Sequence, residues 1–215
     1  MYLNKFDDWP SPTTTKRLIY LGFIVLWVTY PIIIFLSSIS HYPATFMESQ
    51  LSFSGAVIKS HFLEMSTDQI MYYVIYQIFD DVYDICHICM FFGLSLFLAR
   101  KFGADSRWRK VGYWMAIVGI IGTFSDLTEN SLIIMMTRDP QGFPDAWAIA
   151  HSWLAVVKFL TWGIQAVWII WAAVKLYRKK DLTIKPTLAT IGVVISQHWT
   201  SLIFGLFFLF GVDVG

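Results

Sequence analysis

Five long apolar stretches run through this chain of 215 residues. Each is long enough to cross about 30 Å of hydrocarbon, because a helix rises about 1.5 Å per residue. They occupy residues 18–38, 70–98, 111–136, 146–176 and 187–212. Only 14% of the residues are charged and 56% are hydrophobic, whereas a soluble domain has about one quarter charged residues. We therefore predict an all-α polytopic membrane protein, with residues 1–215 forming a single transmembrane helical bundle of about five spans.

Basic residues predict the orientation of the spans. They lie before the first span, between the second and third, and between the fourth and fifth: Lys16, Arg17, Arg100, Lys101, Arg107, Arg109, Lys110, Lys175, Arg178, Lys179, Lys180 and Lys185. Basic loops favour the cytoplasmic side, so we predict the N-terminus inside and the C-terminus outside. The polar start of the chain is unlike the short basic start of a secretory signal peptide, which predicts that the first span is kept as an anchor.

The segment between the first two spans, residues 39–69, mixes aromatic and polar side chains. This composition predicts one or two short amphipathic helices on the outer leaflet, which could form a lid or a plain surface connector. Ser66 and Gln69 have the spacing of a capping box that opens the second span. Pro31 predicts a kink in the first span, because it removes one backbone hydrogen bond.

The second span carries ionisable residues at positions that would lie deep in the bilayer. Such groups cost roughly 2.5–3.5 kcal/mol each on insertion scales, so they tend to mark a pocket, a pathway or a paired network. At about 100° per residue, one stripe of this helix contains Tyr73, Gln77, Asp80, Asp84 and His87, with Asp81 beside it. We therefore expect the functional site of the protein to include residues of this stripe.

Polar faces recur on the other spans. The third span aligns Gly119, Gly122, Thr123, Asp126, Glu129 and Asn130, the fourth repeats His151, Lys158 and Gln165 at every seventh residue with Trp162 between them, and the fifth aligns Thr187, His198, Ser201 and Gly205. This pattern indicates a bundle with a hydrophilic interior, in which the glycines allow helices to approach closely. An unpaired buried ammonium is costly, so we predict that Lys158 contacts at least one of Asp80, Asp84, Asp126 and Glu129.

Three segments together resemble a family of small, uncharacterised prokaryotic multi-pass membrane proteins. The likeness rests on the acidic second span, on Asp126-Leu-Thr-Glu-Asn130 and on Lys158 followed by an aromatic residue, and it covers roughly residues 20–175. The family shares an Asp-x-x-Glu-Asn motif and a later lysine-aromatic pair. The resemblance implies that Asp126, Glu129, Asn130 and Lys158 form a linked set, and that the chain lies in the plasma membrane of a prokaryote.

We expect a buried charged pocket that opens toward the outer leaflet and binds or acts on a lipid or isoprenoid by carboxylate acid-base chemistry. The predicted catalytic residues are Asp84, Asp126 and Glu129. The predicted binding residues are Asp80, His87, Asn130, His151, Lys158, Trp162, Gln165 and His198. No cofactor is expected, and the sequence leaves open whether the protein is an enzyme.

Other functions fit the same residues. The acids and histidines could relay protons or a cation in coupled transport, or pair with a neighbour if the chain is an accessory subunit of a larger complex. The string from Asp80 to Asp84 matches the DDxxD pattern that holds Mg²⁺ on a prenyl diphosphate. Asp81 lies about 100° around the helix from Asp80, however, so we predict no metal there.

The remaining partners and ligands are constrained more weakly. Three histidines from different spans, His87, His151 and His198, could bind zinc, although hydrogen bonding is the favoured interpretation. The only two cysteines, Cys86 and Cys89, lie one helical turn apart, which favours packing over redox chemistry. A net charge of +1 argues against nucleic acid, so membrane lipid is the expected partner and protein partners stay open.

Overall fold

A computed structural model describes residues 2–195, and all regular secondary structure in that range is helical. A 3-10 helix covers Tyr2–Asp7; the α-helices are α1 (Pro12–Ser40), α2 (Phe46–Gln50), α3 (Gly55–Leu63), α4 (Thr67–Lys101), α5 (Arg107–Arg138), α6 (Asp145–Arg178) and α7 (Ile184–Ile195). The predicted all-helical class is confirmed for this part of the chain. Most of the predicted fifth span lies outside the described residues, together with His198, Ser201 and Gly205.

Four of these helices, α1, α4, α5 and α6, are long and apolar enough to cross a membrane. The shortest has 29 residues, which is about 43 Å of helix and more than the hydrocarbon thickness. They contain the first four predicted spans, so the assignment to the class of multi-pass membrane proteins is confirmed at this level. The total of five spans and the orientation of the termini stay predictions.

Local sequence signals explain where several helices begin. The Ser66 backbone N–H donates to Gln69 Oε1 at 2.7 Å and the Gln69 N–H donates to Ser66 Oγ at 3.3 Å, so the predicted capping box is confirmed at the start of α4. Thr45 and Glu48 form a second capping box at the start of α2. Pro31 lies inside α1, which continues past it to Ser40.

The described chain forms two compact units, and the first, here called the cluster unit, consists of residues Phe23–His87 and Thr123–Lys158. Its apolar core is built by residues from α3, α4, α5, the start of α6 and the connections before α4 and α6: Ile58, Phe62, Met65, Tyr73, Ile133, Met136, Phe143 and Ala148. Ile58 and Phe62 of α3 are only 2% and 3% exposed. The segment predicted to lie on the membrane surface therefore contributes one helix to the core of this unit.

The second unit, here called the terminal unit, consists of Met1–Gly22, Ile88–Gly122 and the described part of Phe159–Gly215. The Arg100 guanidinium ties the N-terminal segment to α4, because it donates to the carbonyl oxygens of Phe6 and Pro10 and to Thr15 Oγ1 at 2.7–2.9 Å. Asp7 accepts hydrogen bonds from Arg109 Nε and from the Tyr113 hydroxyl.

Candidate functional site

The centre of the cluster unit is a buried ion cluster between α5 and α6. Lys158 Nζ lies 2.7 Å from Asp126 Oδ1 and 2.8 Å from Glu129 Oε2, and all three residues are at most 4% exposed. Asp126 and Glu129 are three residues apart on α5, so both carboxyl groups project from one face toward the lysine. The predicted contact between Lys158 and the intramembrane acids is confirmed.

His151 extends this cluster by two helical turns along α6. Its Nε2 atom lies 3.3 Å from Glu129 Oε1, and the side chains of both residues are fully buried. Glu129 is therefore placed between a lysine and a histidine. Buried ions are stabilised only when their partners are close and well oriented, so this carboxyl group depends on both neighbours.

Asp84 brings α4 into the same cluster. It is fully buried, and its carboxyl group is a close neighbour of that of Asp126. Two buried carboxyl groups that interact with each other cannot both keep a full negative charge without a large electrostatic cost, so we expect this pair to share a proton. Three of the predicted site helices thus contribute to one buried group of titratable side chains.

Asp80 and Asp81 meet at Asn130 of α5. The Asn130 Nδ2 amide donates to Asp80 Oδ2 at 3.3 Å and to Asp81 Oδ1 at 3.0 Å. Asp81, which the helical stripe places beside Asp80, therefore shares its donor. Asn130 is 1% exposed, and its amide N–H groups orient these two side chains. Its role in binding a ligand stays a prediction. We call these residues the acidic cluster: Asp80, Asp81, Asp84, Asp126, Glu129, Asn130, His151 and Lys158.

A pocket of about 300 Å³ lies beside the acidic cluster, in the same unit. Its lining comes from the end of α1, the segment around α2, and one face of α4 with one residue of α5: Ser37, Ser38, His41, Tyr42, Ala44, Ser49, Gln50, Tyr73, Tyr76, Gln77, Asp80 and Ile133. Of the α4 residues in this lining, Asp80 is the furthest from the start of that helix. The pocket therefore connects the acidic cluster, through Asp80, with the segment between α1 and α3.

Stacked tyrosines form part of the pocket wall. The rings of Tyr42 and Tyr73 are 4.6 Å apart and inclined by 14°, and those of Tyr73 and Tyr76 are 5.9 Å apart and inclined by 7°. The Tyr42 hydroxyl lies 3.1 Å from His61 Nδ1 and accepts a hydrogen bond from Ser49 Oγ. Burial raises the pKa of Tyr42 to about 12, so this hydroxyl keeps its proton at neutral pH.

Gln50 also lines the pocket, and its side-chain carbonyl oxygen accepts no hydrogen bond from the described residues. The residue is 6% exposed. A buried carbonyl oxygen without a donor costs free energy, so such an atom in a pocket indicates a place for a donor from a ligand. Sequence reasoning missed Tyr42, Ser49 and Gln50; its only signal was the mixture of aromatic and polar residues in residues 39–69.

Other predicted residues have different surroundings. His87 is buried in the cluster unit, where its ring stacks on Tyr83 at 6.2 Å. Gln165 and Trp162 belong to the terminal unit. There the Gln165 amide donates to Ser95 Oγ at 3.1 Å, and the Gly122 backbone passes directly against Trp162. His198 lies outside the described residues.

Neither a metal-binding arrangement among the described residues nor a known relative assigns a function to this protein. Within residues 2–195, no group of three or more His, Cys, Asp or Glu side chains is arranged to hold a metal ion. No protein-family model matches the sequence, and neither does any curated protein or any solved structure. The geometry of the pocket and of the acidic cluster is therefore the basis for the function proposed below.

Proposed function

We propose that this integral membrane protein binds the polar head group of a lipid in the pocket beside Asp80, and that the acidic cluster exchanges protons with the bound group. The observation that carries the proposal is the pocket of about 300 Å³, which brings Asp80 within reach of a ligand. That volume is at the small end of the range for ligand sites, so it suits a head group and excludes a whole lipid.

The surroundings of the pocket favour an amphipathic ligand. Ser37 and Ser38 of α1 line the pocket, and the residues one turn earlier, Ile34 and Phe35, are 52% and 61% exposed. An apolar surface of this kind faces hydrocarbon in a membrane protein. A lipid could thus place its head group among the pocket hydroxyls while its chains follow α1. On the predicted topology, this end of α1 lies in the outer leaflet.

The proposal assigns distinct roles to the charged residues. Lys158 is already in contact with Asp126 and Glu129, so it holds these two carboxyl groups in place. Asp80 lines the pocket and is the acid that contacts the ligand. Asn130 orients the Asp80 carboxyl group by donating a hydrogen bond to it. Asp84 and Asp126 are the pair that stores or supplies a proton behind Asp80.

The test is lipid binding by the purified chain in detergent or nanodiscs, measured by native mass spectrometry. Asp80→Asn keeps the shape of the side chain and removes its charge, and we expect the amount of retained lipid to fall about tenfold. Asp68→Asn is the matched control, since Asp68 is exposed in the first turn of the same helix. Equal retention of lipid by wild type and Asp80→Asn would contradict the proposal.

Proton transport is the second candidate, and the closeness of Asp84 to Asp126 favours it, because two neighbouring carboxyl groups can pass one proton between them. Liposomes with a pH-sensitive dye inside would report proton flux. Transport predicts a flux that disappears in Asp84→Asn and persists in Asp68→Asn. A wild-type flux no greater than that of empty liposomes excludes this candidate.

A further inference from the structure

The charges around the pocket identify the kind of group that it can accept. None of the twelve described residues that line it is a lysine or arginine; Asp80 is its acid, and His41, at the end of α1, is its histidine. A phosphate or carboxylate placed next to Asp80 would meet another acid, and the pocket lining has no lysine or arginine to balance its charge. The end of the pocket at Asp80 is therefore suited to a positively charged group.

The composition of the acidic cluster leads to the same conclusion. The cluster contains five carboxyl groups, and Lys158 and His151 are its basic side chains. Negative charge in a buried site must be compensated by protons or by cations. A ligand that brings a cation to Asp80 would supply part of this compensation, and no rearrangement of the Lys158 contacts would be needed.

Gln50 adds a requirement for hydrogen-bond donors. Gln50 lines the same pocket, and its Oε1 atom is buried and receives no hydrogen bond from the described residues. A primary ammonium has three N–H donors and can satisfy both a carboxylate and a carbonyl oxygen. A trimethylammonium group has none, so it would leave the Gln50 oxygen without a partner.

We propose that the pocket selects a lipid whose head group ends in a primary ammonium, with the Asp80 carboxylate and the Gln50 Oε1 atom accepting its N–H donors. This inference rests on the proposed lipid-binding function and names the chemical class of its ligand. Ser37 and Ser38 lie at the α1 side of the pocket, where the remainder of a head group would leave toward the lipid chains.

Lipid exchange into nanodiscs tests the selection with the full chain. Nanodiscs contain phosphatidylcholine alone or an equal mixture with phosphatidylethanolamine, and native mass spectrometry counts the lipids that stay bound. We expect phosphatidylethanolamine to be retained about tenfold over phosphatidylcholine, since a hydrogen bond to a charged group is worth that ratio or more. Equal retention of the two lipids would overturn the ammonium proposal, while the lipid-binding function would stand.

Two variants of Gln50 separate its role as an acceptor from its role in packing. Gln50→Leu removes the acceptor, so the preference for the ethanolamine lipid should fall about tenfold. Gln50→Glu keeps an acceptor oxygen and replaces the amide NH2 group by a second one, so the preference should be retained or increased. Gln141→Leu, at an exposed position of the same unit, should change nothing. A preference that survives Gln50→Leu, or one that Gln50→Glu abolishes, counts against the assignment.

Competition with small soluble probes distinguishes the source of the ammonium. Displacement of the lipid by free ethanolamine, without displacement by tetramethylammonium or inorganic phosphate, supports the primary ammonium. Stronger displacement by tetramethylammonium or phosphate overturns it. Binding of free ethanolamine in a protein that retains neither lipid would support the ammonium site and reject the lipid as its source. Absence of any lipid or probe binding to wild type would reject the proposed function itself.

Discussion

Lys158 is the residue on which the acidic cluster most depends, because it is the lysine that Asp126 and Glu129 share. The ammonium group and both carboxyl groups are buried, so water cannot solvate their charges. Removing one partner of a buried ion pair costs far more stability than replacing both partners by apolar residues, because the remaining charge stays buried without a partner.

We therefore expect Lys158→Met to lower the free energy of unfolding by about 3–5 kcal/mol. Lys59→Met is the control, because Lys59 pairs with Asp145 at 2.7 Å in a partly exposed position, and exposed pairs contribute about 1 kcal/mol or less. Unfolding in mixed micelles with increasing dodecyl sulfate, followed by circular dichroism, would measure both. A loss no larger in Lys158→Met than in Lys59→Met would show that the buried cluster adds little stability.

At the scale of the helices, close packing in the terminal unit depends on Gly112 of α5. A Cβ atom at this position would collide with the Cβ of Ala99 in α4 and with the indole ring of Trp168 in α6. Ala99 is fully buried and Trp168 is 6% exposed, so neither can easily move aside. The absence of a side chain at residue 112 therefore sets how closely the three helices approach.

Gly112→Ala should lower stability by about 1–3 kcal/mol, the usual cost of overpacking a filled core. Gly103→Ala provides the comparison, because an added Cβ there meets nothing within 4 Å. Thermal unfolding of both variants in the same detergent is the measurement. If Gly112→Ala unfolds at the same temperature as wild type, α4, α5 and α6 can move apart to accept the extra methyl group without a loss of stability.

The N-terminal 3-10 helix gives a prediction for pH dependence. The hydrogen bond that the Tyr113 hydroxyl donates to Asp7, at 2.6 Å, together with Arg109, holds the pKa of Asp7 below its ordinary value of 3.8. The unfolded chain then takes up this proton at a higher pH than the folded protein does. The ionised Asp7 carboxylate therefore contributes its full stabilisation to the folded protein above pH 3.8. This contribution is lost as the pH falls through the lowered pKa of Asp7.

Asp7→Asn should therefore be less stable than wild type at neutral pH, and the difference should shrink as the pH falls below about 4. Asp8→Asn changes the exposed neighbouring acid, and its difference from wild type should stay small throughout. Unfolding curves for the three proteins at several pH values would show this. A difference for Asp7→Asn that does not vary with pH would mean that the carboxylate charge of Asp7 does not stabilise the folded protein.

At the scale of the whole molecule, the positive-inside rule predicts that the loop between α5 and α6 is outside and that the loop after α6 is inside. A fusion of green fluorescent protein after Lys180 should fluoresce in the cytoplasm, and a periplasmic phosphatase fused after Gln141 should be active. The fusion of either reporter at the C-terminus distinguishes five spans from four. Cytoplasmic fluorescence from the C-terminal fusion would contradict the predicted fifth span.

The sequence predicted those features of the fold that depend on local composition. Hydropathy located the helices α1, α4, α5 and α6, and the spacing of Ser66 and Gln69 located the start of α4. The contact of Lys158 with Asp126 and Glu129 followed from the cost of burying an unpaired charge. In each case one energetic term is large enough to decide the outcome by itself.

Features that depend on how uncharged side chains of distant segments pack together were not predictable. Nothing in residues 39–69 indicates that α3 is buried, or that Tyr42 stacks on Tyr73. Gln165 repeats the heptad spacing of Lys158, yet seven residues are about 10 Å of helix, so the two side chains have different neighbours. A helical stripe identifies a face of a helix, and the partner at each level depends on the packing of the other helices.

The burial of α3 also has a consequence for the rates at which a ligand binds and dissociates. Tyr42, Ser49 and Gln50 precede α3, whose Ile58 and Phe62 are anchored in the core. If α3 moved together with this wall, as part of a lid, both side chains would leave the core, at a cost of roughly 1.5–3 kcal/mol each where they meet water. We therefore expect α3 to hold this wall of the proposed binding site in place. The residence time of a bound head group should be set by its own contacts, with an exchange rate that follows affinity and shows no separate gating step.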